Sequence, residues 1–411
     1  MPDQTAIGST AEPSILRHPP FALFWFSRVF STIAYFAQAV AIGWQIYALT
    51  GNPLDLGLVG LAQFLPMIAL TLVVGHVADH YDRRRIVMIC QGVEAAAALM
   101  LVLGAGTGSL SRTGIFAIVA VVGAARAFEG PTLGALLPGL VVRPLIQRAT
   151  AWSASANQTA QIVGPAIGGL LYGLGPAAVY ATSMTLFVVA AVLTSMIAIV
   201  QPPRPRAPVS VNSLLSGFAF VRSRPVLLGT LSLDLFAVLL GGATALLPIY
   251  ARDILATGPW GLGLLRSAPA VGALAMSVFL ARHPLQDRVG PILFTAVTTF
   301  GLATVVFGLS TSLPVSLLAL LVLGAADVIS VVIRQSLVQL QTPDEMRGRV
   351  SAVNSLFIAT SNQLGEFESG ATAALFGVVP SVVFGGAATI AIAGLWMALF
   401  PQMRRVRTLD G

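Results

Sequence analysis

The chain has 411 residues, of which 56% are hydrophobic and only 9% are charged. An ordinary globular domain carries about 25% charged residues, so this composition excludes a soluble multidomain protein and indicates a polytopic membrane protein. The formal net charge of +7 comes from arginine alone, because the sequence has no lysine, and the single Cys90 excludes a disulfide framework or a cysteine metal cluster.

About twenty apolar residues are needed to cross the hydrocarbon core as a helix. Runs of that length predict twelve membrane spans, so that both ends of the chain lie on one side. The predicted spans cover residues 21–49, 56–75, 86–104, 113–137, 151–172, 178–200, 226–250, 261–281, 291–309, 314–338, 351–375 and 381–400. Residues 1–20 are polar, and they predict a retained tail and not a signal peptide.

The placement of arginine orients the predicted spans. Segments on the side of the two chain termini carry seventeen arginines, and the opposite segments carry two, Arg112 and Arg252. Because cytoplasmic loops are enriched in basic residues, this bias predicts that both termini are cytoplasmic.

A linker rich in proline and arginine divides the chain. We expect residues 201–225 to connect an amino-terminal bundle of six spans, 21–200, to a second bundle, 226–400, which is followed by a tail over 401–411. A short amphipathic helix is expected within the linker, over Leu214–Val221.

The two halves carry matching residues at a nearly constant offset. Pro53, Leu56, Gly57 and Leu58 recur 206 positions later as Pro259, Leu262, Gly263 and Leu264. The segment GAAR, which ends at Arg126, recurs as GAAD, which ends at Asp327, and Arg28 matches Asp234. Such an internal repeat is typical of transporters that enclose a site near the middle of the membrane.

The segment GHVADHYDRRR, between spans 2 and 3, resembles the loop pattern of the major facilitator superfamily. Gly75, Asp79, Arg83 and Arg84 match that pattern, and Asp287 and Arg288 stand in the corresponding loop of the second half. The resemblance implies the major facilitator fold: an all-α protein of two pseudo-symmetric six-helix bundles. It also implies that these six residues form a gate at the cytoplasmic side.

Four further stretches resemble the enterobactin-exporter branch of multidrug-efflux proteins. They begin at His18, Ile162, Ser213 and Thr342. Within the second stretch, Gly164, Pro165, Gly168 and Gly169 match the end of a motif in span 5 that accompanies export in exchange for protons. The alternative is generic tight packing, since Ala160, Gly164 and Gly168 form a face of small residues that lets another helix approach.

Charged residues inside a membrane are costly and usually face a cavity or a partner. The resemblance implies that spans 1, 4, 7 and 10 line a central cavity, and Arg28, Arg126, Asp234 and Asp327 fall one on each. We expect the arginines of the first half to pair with the aspartates of the second across the cavity. A static ion pair that joins the halves is the alternative.

The other intramembrane charges are expected to have local roles or to divide between the cavity and a neighbouring helix. Glu129 follows Arg126 by three residues and is expected to be its partner on the same helix. Glu366 and Glu368 cannot share one helix face, so one should face the cavity and the other a neighbouring helix. Arg334 is expected to reach toward the cytoplasmic surface, and Glu94 to serve as a structural hydrogen-bond partner.

The sequence contains no phosphate-binding GxxxxGK[ST] loop, so an ion gradient is expected to drive any transport. Together these features predict an exporter of the bacterial inner membrane, one that exchanges protons for a siderophore, drug or metabolite by alternating access. We expect no enzymatic activity, no cofactor, no metal site and no nucleic-acid partner, and a monomer in the lipid bilayer. An uptake symporter and a membrane sensor without transport are the alternatives.

Overall fold

The computed structural model describes residues 15–198, 211–285 and 287–408. The described part is built from helices, and ten of them are long and apolar enough to cross a membrane. Most of the first tail, 1–14, part of the linker, 199–210, and the last three residues lie outside the described residues.

The first half contains six long helices, which correspond to predicted spans 1–6. Each lies close to its expected position, and proline or a side-chain cap marks several starts. They are α1 Pro19–Thr50, α2 Pro53–His80, α3 Arg83–Thr107, α4 Arg112–Leu136, α5 Ile146–Tyr172 and α6 Pro176–Ser195.

The second half begins with the amphipathic helix α7, Val211–Ser223, which confirms the helix expected in the linker. Predicted span 7 is broken into α8 and a shorter segment that holds α9. The long helices after it correspond to spans 8–12. The elements are α8 Pro225–Leu240, α9 Leu247–Ile249, α10 Gly258–Arg282, α11 Val289–Leu309, α12 Leu313–Leu340, α13 Asp344–Phe376, α14 Val378–Leu399 and the short α15 Pro401–Arg405.

The turn between α1 and α2 shows how the sequence places the helix ends. Gly51 ends α1 with φ of 61°, a left-handed conformation that glycine adopts without steric cost. The side chain of Asn52 then accepts a hydrogen bond from the backbone N–H of Leu54, and Pro53 is the first residue of α2. Three consecutive residues therefore end one helix and begin the next.

One expectation about the helix ends was wrong. Gly75–Arg85 was expected to be a loop, but α2 continues to His80 and α3 starts at Arg83, so only Tyr81 and Asp82 connect them. Helix α2 continues past the end of its apolar run, because polar residues can extend a helix beyond the hydrocarbon core. Asp82 fixes the start of α3, since its side chain accepts a hydrogen bond from the N–H of Arg84.

Helix packing confirms the two pseudo-symmetric bundles. In the first half α1 packs against α5 and α6, α2 against α4, and α3 against α4 and α6. In the second half the matching helices repeat every one of these contacts: α8 packs against α13 and α14, α10 against α12, and α11 against α12 and α14. At equivalent places, Gly123 of α4 packs on the backbone of Gln63, and Gly324 of α12 on that of Pro269.

Helices α5 and α13 are the long helices outside the ten apolar spans. Both are polar for a membrane helix, and both pack against the opposite half, α5 on α10 and α13 on α2. Their contact with protein on several sides explains how they tolerate that composition. With these two, the long helices are consistent with the twelve predicted spans.

Two contacts between glycines bring the halves together. A Cβ added to Gly370 of α13 would lie 2.9 Å from Cα of Gly57 in α2, and one added to Gly169 of α5 would lie 2.8 Å from Cα of Gly263 in α10. These two contacts occupy equivalent positions of the repeat. Glycine lets the backbones approach this closely, so Gly169, in the glycine motif of α5, is part of a packing surface between the halves.

Candidate functional site

A cavity of about 300 Å³ lies between the two halves. Its charged lining residues are Arg266 of α10, Asp327 of α12 and Glu366 of α13, and Phe36 and Gln161 line it from the first half. The segment after α8 completes the wall through Thr244 and Leu247. Three ionisable side chains therefore meet at one cavity, and all three come from the second half.

A second cavity, of about 100 Å³, shares Arg266 and Glu366 with the first. Tyr35, Gln38 and Gln63 line it from the first half, and Gln363 from the second. The side-chain oxygens of Gln38 and Gln363 are buried and have no hydrogen-bond partner among the described residues, and the same is true of Nε of Arg266. Buried polar groups are normally satisfied, so these atoms are available to a bound molecule.

The break in span 7 forms part of the cavity wall. Helix α8 ends at Gly241, and a 3-10 turn, Ala243–Leu246, follows before α9. A Cβ on Gly242 would lie 2.7 Å from the backbone oxygen of Gly365, so a side chain there would collide with α13. Interrupted helices near the middle of the membrane are a common feature of transporter binding sites.

Arg266 is the cavity residue that the sequence analysis did not select. It was visible as an arginine within an apolar run, but its partner position in the repeat is Gly60 and not an ionisable residue. The structure explains this mismatch, because a Cβ on Gly60 would lie 2.6 Å from Oε2 of Glu366. The small residue in one half leaves room for the charged residue of the other.

The expected charge pairs across the cavity are not formed in this structure. Arg126 donates from Nη1 to Oε2 of Glu129 at 2.7 Å, which confirms Glu129 as its same-helix partner. Asp234 forms a buried ion pair with Arg334 of α12, and Arg28 donates to Oγ of Ser153 at 2.7 Å. The ion pairs of Arg126 and Asp234 are therefore each formed within one half, and Arg28 is bound by a hydroxyl group of its own half.

Two expectations about single residues were wrong. Arg334 does not reach the surface, since its residue is only 3% exposed and its guanidinium pairs with Asp234 inside the bundle. Glu94 makes no hydrogen bond to the described residues, although it is fully buried. Asp234, which pairs with Arg334, and Arg126, which lies 3.8 Å from Glu94, both come from another helix, and span prediction cannot locate such contacts.

Glu366 and Glu368 lie on different faces of α13, as their spacing of two residues requires. Glu366 lines both cavities. Glu368 is half-buried on another face of α13, and its backbone oxygen accepts a hydrogen bond from Thr372 at 2.9 Å. The cavity-facing carboxylate of the pair is therefore Glu366.

The gate residues of the first half contact their own half in this structure. Arg83 donates to the backbone oxygen of Ala135 at 3.1 Å, and Arg84 to that of Ile197 at 2.9 Å. These oxygens lie at the ends of α4 and α6, where unpaired carbonyls accept arginine side chains. Asp287 and Arg288 are exposed. The surroundings of Gly75 and of the Asp79 side chain lie outside the described part, so the gating role of these residues stays a prediction.

The small face of α5 packs on α1. A Cβ on Gly164 would lie 2.7 Å from Cβ of Phe36, and one on Gly168 would lie 2.6 Å from the backbone oxygen of Ala37. Pro165 lines the larger cavity. The motif therefore places α1 and α5 side by side along the cavity, as the sequence predicted for a face of small residues.

Polar contacts close the end of the bundle opposite to the chain termini. The hydroxyl of Tyr47 donates a short hydrogen bond to Asp253. The two residues are 206 positions apart, the offset of the repeat, so they meet on the pseudo-two-fold axis. Nearer the middle of the helices, Ser267 donates to the backbone oxygen of Ile162 at 2.7 Å, and Gln158 donates to that of Ala270 at 3.0 Å.

Within the described residues, no group of three or more His, Cys, Asp or Glu side chains could hold a metal ion. A helical membrane protein with two repeated bundles, a charged cavity between them and a closure at one end belongs to the class of secondary transporters. Comparison with known proteins agrees with this class.

The family described as transmembrane secretion effector, of the major facilitator superfamily, matches residues 10–410. The chain belongs to this family. It is 27% identical to the enterobactin exporter EntS of Citrobacter koseri over 401 residues, which cover 95% of this chain and 94% of that protein. It is 26% identical, with the same coverage, to the enterobactin exporter EntS of Escherichia coli O1:K1 / APEC.

Solved structures share the fold. A bacterial homologue of the iron transporter ferroportin, in an inward-facing state, has a TM-score of 0.71 at 16% identity and covers 96% of this chain and 100% of its own. The nucleoside transporter NupG has a TM-score of 0.68 at 14% identity, over 93% and 99% of the two chains. These likenesses establish the architecture and leave the transported molecule open.

Proposed function

We propose that this protein exports a small organic molecule across the bacterial inner membrane, in exchange for protons, by alternating access. The observation that carries the proposal is the cavity where Arg266, Asp327 and Glu366 meet between two halves that touch at one end. Charges placed there bind a polar substrate group, and a carboxylate can exchange a proton with it. The cargo named for the enterobactin exporters makes siderophores the first substrates to test.

The contacts between the halves support an inward-facing state. The pair Tyr47–Asp253 and the glycine contacts lie between the middle of the helices and the end opposite to the termini. Seventeen arginines on the side of the termini favour a cytoplasmic location for that side. With the far end closed, the cavity would load substrate from the cytoplasm, which suits an exporter.

The lining of the cavity favours an amphipathic substrate. Phe36 and Leu247 supply apolar surface, while Arg266, Glu366 and the glutamine side chains offer charge and hydrogen bonds. Binding sites for small molecules are usually apolar with a few well-placed polar groups. The protein is proposed to act as a monomer in the lipid bilayer, without an enzymatic step and without a nucleic-acid partner.

The test combines growth and transport. A strain that lacks the gene should grow poorly under iron limitation, or with a toxic compound that the protein exports. Inverted membrane vesicles with an acidic interior should accumulate enterobactin or the compound that the growth screen finds, and alkalinise as they do so. Asp327→Asn should abolish the exchange, while Glu345→Gln, a change of an exposed carboxylate outside the cavity, should leave it intact.

The direction and the driving force decide between the alternatives. Proton-linked movement of the compound out of inverted vesicles would identify an uptake symporter and overturn the proposal. Ligand binding without any transport would point to a sensor.

A further inference from the structure

The core of the first half holds a polar network away from the cavity between the halves. It joins four helices and is almost completely buried: Gln91 and Glu94 are 0% exposed and Glu129 is 1% exposed. Its members are Ser27 and Ser31 of α1, Gln91 and Glu94 of α3, Arg126 and Glu129 of α4, and Thr194 of α6.

Two carboxylates in this network share one arginine nitrogen. Nη1 of Arg126 lies 2.7 Å from Oε2 of Glu129 and 3.8 Å from Oε1 of Glu94. Glu129 also accepts hydrogen bonds on its other oxygen, from Ser31 at 2.8 Å and Gln91 at 3.0 Å. Three donors stabilise the ionised form of Glu129.

Glu94 has the opposite surroundings. Neither of its oxygens accepts a hydrogen bond from any residue in the described part of the chain. A buried carboxylate without donors costs several kcal/mol in a medium of low dielectric, whereas a protonated carboxyl group avoids most of that cost. Taken by themselves, Arg126, Glu94 and Glu129 carry a net charge of −1 when both carboxylates are ionised, and one proton makes these three side chains neutral.

The other charged and titratable groups around Glu94 do not supply a further partner. On α1, Arg28 donates to Ser153, and Tyr35 lies under the guanidinium of Arg126. On its own helix, Cys90 is buried one turn away. On α6, the nearby polar residue is Thr194, which donates to Gln91 at 2.9 Å.

Arg126 links Glu94 to the space between the halves. Its side chain is 24% exposed while that of Glu94 is 0% exposed. Its guanidinium carbon lies 4.1 Å from the ring centre of Tyr35, which lines the smaller cavity and accepts a hydrogen bond from Gln63 at 2.8 Å. Arg126 therefore lies between the partly exposed space beside Tyr35 and the fully buried carboxyl group of Glu94.

We propose that Glu94 is a proton-binding site in the first half, and that Arg126 shifts between Glu129 and Glu94 as this proton binds and leaves. With the proton on Glu94, Arg126 pairs with Glu129, as in this structure. When the proton leaves to water in the cavity, the Glu94 carboxylate attracts Nη1 of Arg126 from its present 3.8 Å. The proposal deepens the proton exchange under the proposed function and rests on it for its physiological role.

The first experiment uses infrared spectroscopy of the purified, reconstituted protein. At a pH where exposed carboxyl groups are ionised, the wild-type protein should show the stretching band of a protonated carboxyl group. Glu94→Gln should remove intensity from this band, and the control Glu345→Gln should leave it unchanged. A spectrum that Glu94→Gln does not alter would overturn the proposal.

The second experiment asks whether this proton moves the protein, with the proton as the only ligand. Spin labels are attached to cysteines introduced at the exposed Ser109 and Thr311, which lie in different halves at the end opposite to the termini. In the parent protein the distance distribution should change with pH, and Glu94→Gln should hold it in the low-pH form. A pH response equal to that of the parent protein would mean that Glu94 is only structural.

A variant that fails to fold and a protein that fails to export can both be distinguished from a Glu94 that binds no proton. If Glu94→Gln does not fold, Glu94→Asp keeps the acid but shortens it, and its carboxyl band should move in frequency. An unmoved band would contradict the assignment. Neither experiment contains an organic substrate, so a failure of proton-linked export in vesicles would overturn the proposed function without changing these readouts.

Discussion

The two halves repeat the same packing but stabilise their buried charges differently. In the first half, Arg126 is held by two carboxylates and lies in a network of hydroxyl and amide groups. In the second half, Asp234 and Arg334 form a single buried pair, and Nε of Arg334 has no hydrogen-bond partner among the described residues. In the first bundle two carboxylates lie near Arg126, whereas in the second bundle Arg334 pairs with Asp234 alone in the part of the chain that the structure describes.

This difference indicates a division of roles. A fixed pair couples α8 to α12 and makes the second bundle a rigid wall for the cavity charges. A shared arginine gives the first bundle two carboxylates between which the proposed proton on Glu94 selects. Because the pairs Arg126–Glu129 and Asp234–Arg334 each lie within one half, the halves can rotate against each other without breaking them.

The largest effect is expected at the fixed pair. Arg334→Ala leaves Asp234 buried without its counter-ion, which costs about 3–5 kcal/mol of stability. The thermal unfolding of the detergent-solubilised protein should therefore shift strongly to lower temperature. Asp327→Asn, in the same helix but at the cavity wall, is the control and should leave unfolding nearly unchanged. Equal shifts for both variants would refute a structural role for the pair Asp234–Arg334.

The glycine contacts between the halves should show the next largest effect. Valine at position 169 places its Cβ 2.7 Å from the backbone oxygen of Pro259. Overpacking of this kind costs about 2 kcal/mol, so Gly169→Val should separate the halves at the end opposite to the termini. Distances between spin labels at 109 and 311 would increase.

Gly92→Val provides the matched control for that experiment. A Cβ at Gly92 meets nothing within 4 Å, and α3 packs mainly against α4 and α6 of its own half. If Gly169→Val left the distances as they are in Gly92→Val, the glycine contacts would not set the closure.

The hydrogen bond between Tyr47 and Asp253 should contribute somewhat less to the closure between the halves than the glycine contacts do. Tyr47→Phe removes the donor to Asp253, and a hydrogen bond to a charged group contributes about 1.5 kcal/mol, or roughly a factor of ten in the ratio of closed to open states. The same spin-label pair should show a larger open population. Tyr180→Phe removes a comparable bond to Gln45 within the first half and should have no such effect; identical populations in the two variants would exclude Tyr47–Asp253 as a latch.

The smallest effect is expected where the two repeated gate loops differ. Asp82 caps α3 through its side chain, but Arg288, the residue before α11, has φ of 58° and makes no side-chain cap. Asp82→Ala should cost about 1 kcal/mol of stability, as measured by thermal unfolding. Asp287→Ala, in the matching loop, should cost much less. A loss at Asp287 as large as that at Asp82 would show that both loops are capped.

Much of the fold could be predicted from the sequence for a clear reason. The length of an apolar run is set by the thickness of the membrane, so the runs located the ends of every unbroken helix to within seven residues. The offset of 206 between Gly57 and Gly263 located the repeat. Tyr47 and Asp253, which are separated by the same offset, contact each other in the structure. The same-helix pair of Arg126 and Glu129 followed from helix geometry.

The candidate site was only partly predictable, because a span defines the depth of a residue but not the helix that it faces. Asp327 and Glu366 were identified as intramembrane charges, and the structure places both at the cavity. Arg266 gained its importance only from the space that Gly60 leaves opposite Glu366.

The sequence by itself determined the class of protein, the spans and the repeat, since these depend on local hydrophobicity and spacing. The tertiary structure decided the pairing of Asp234 with Arg334 and the approach of Arg126 to Glu94, because in each case the two residues lie on different helices that packing brings within reach.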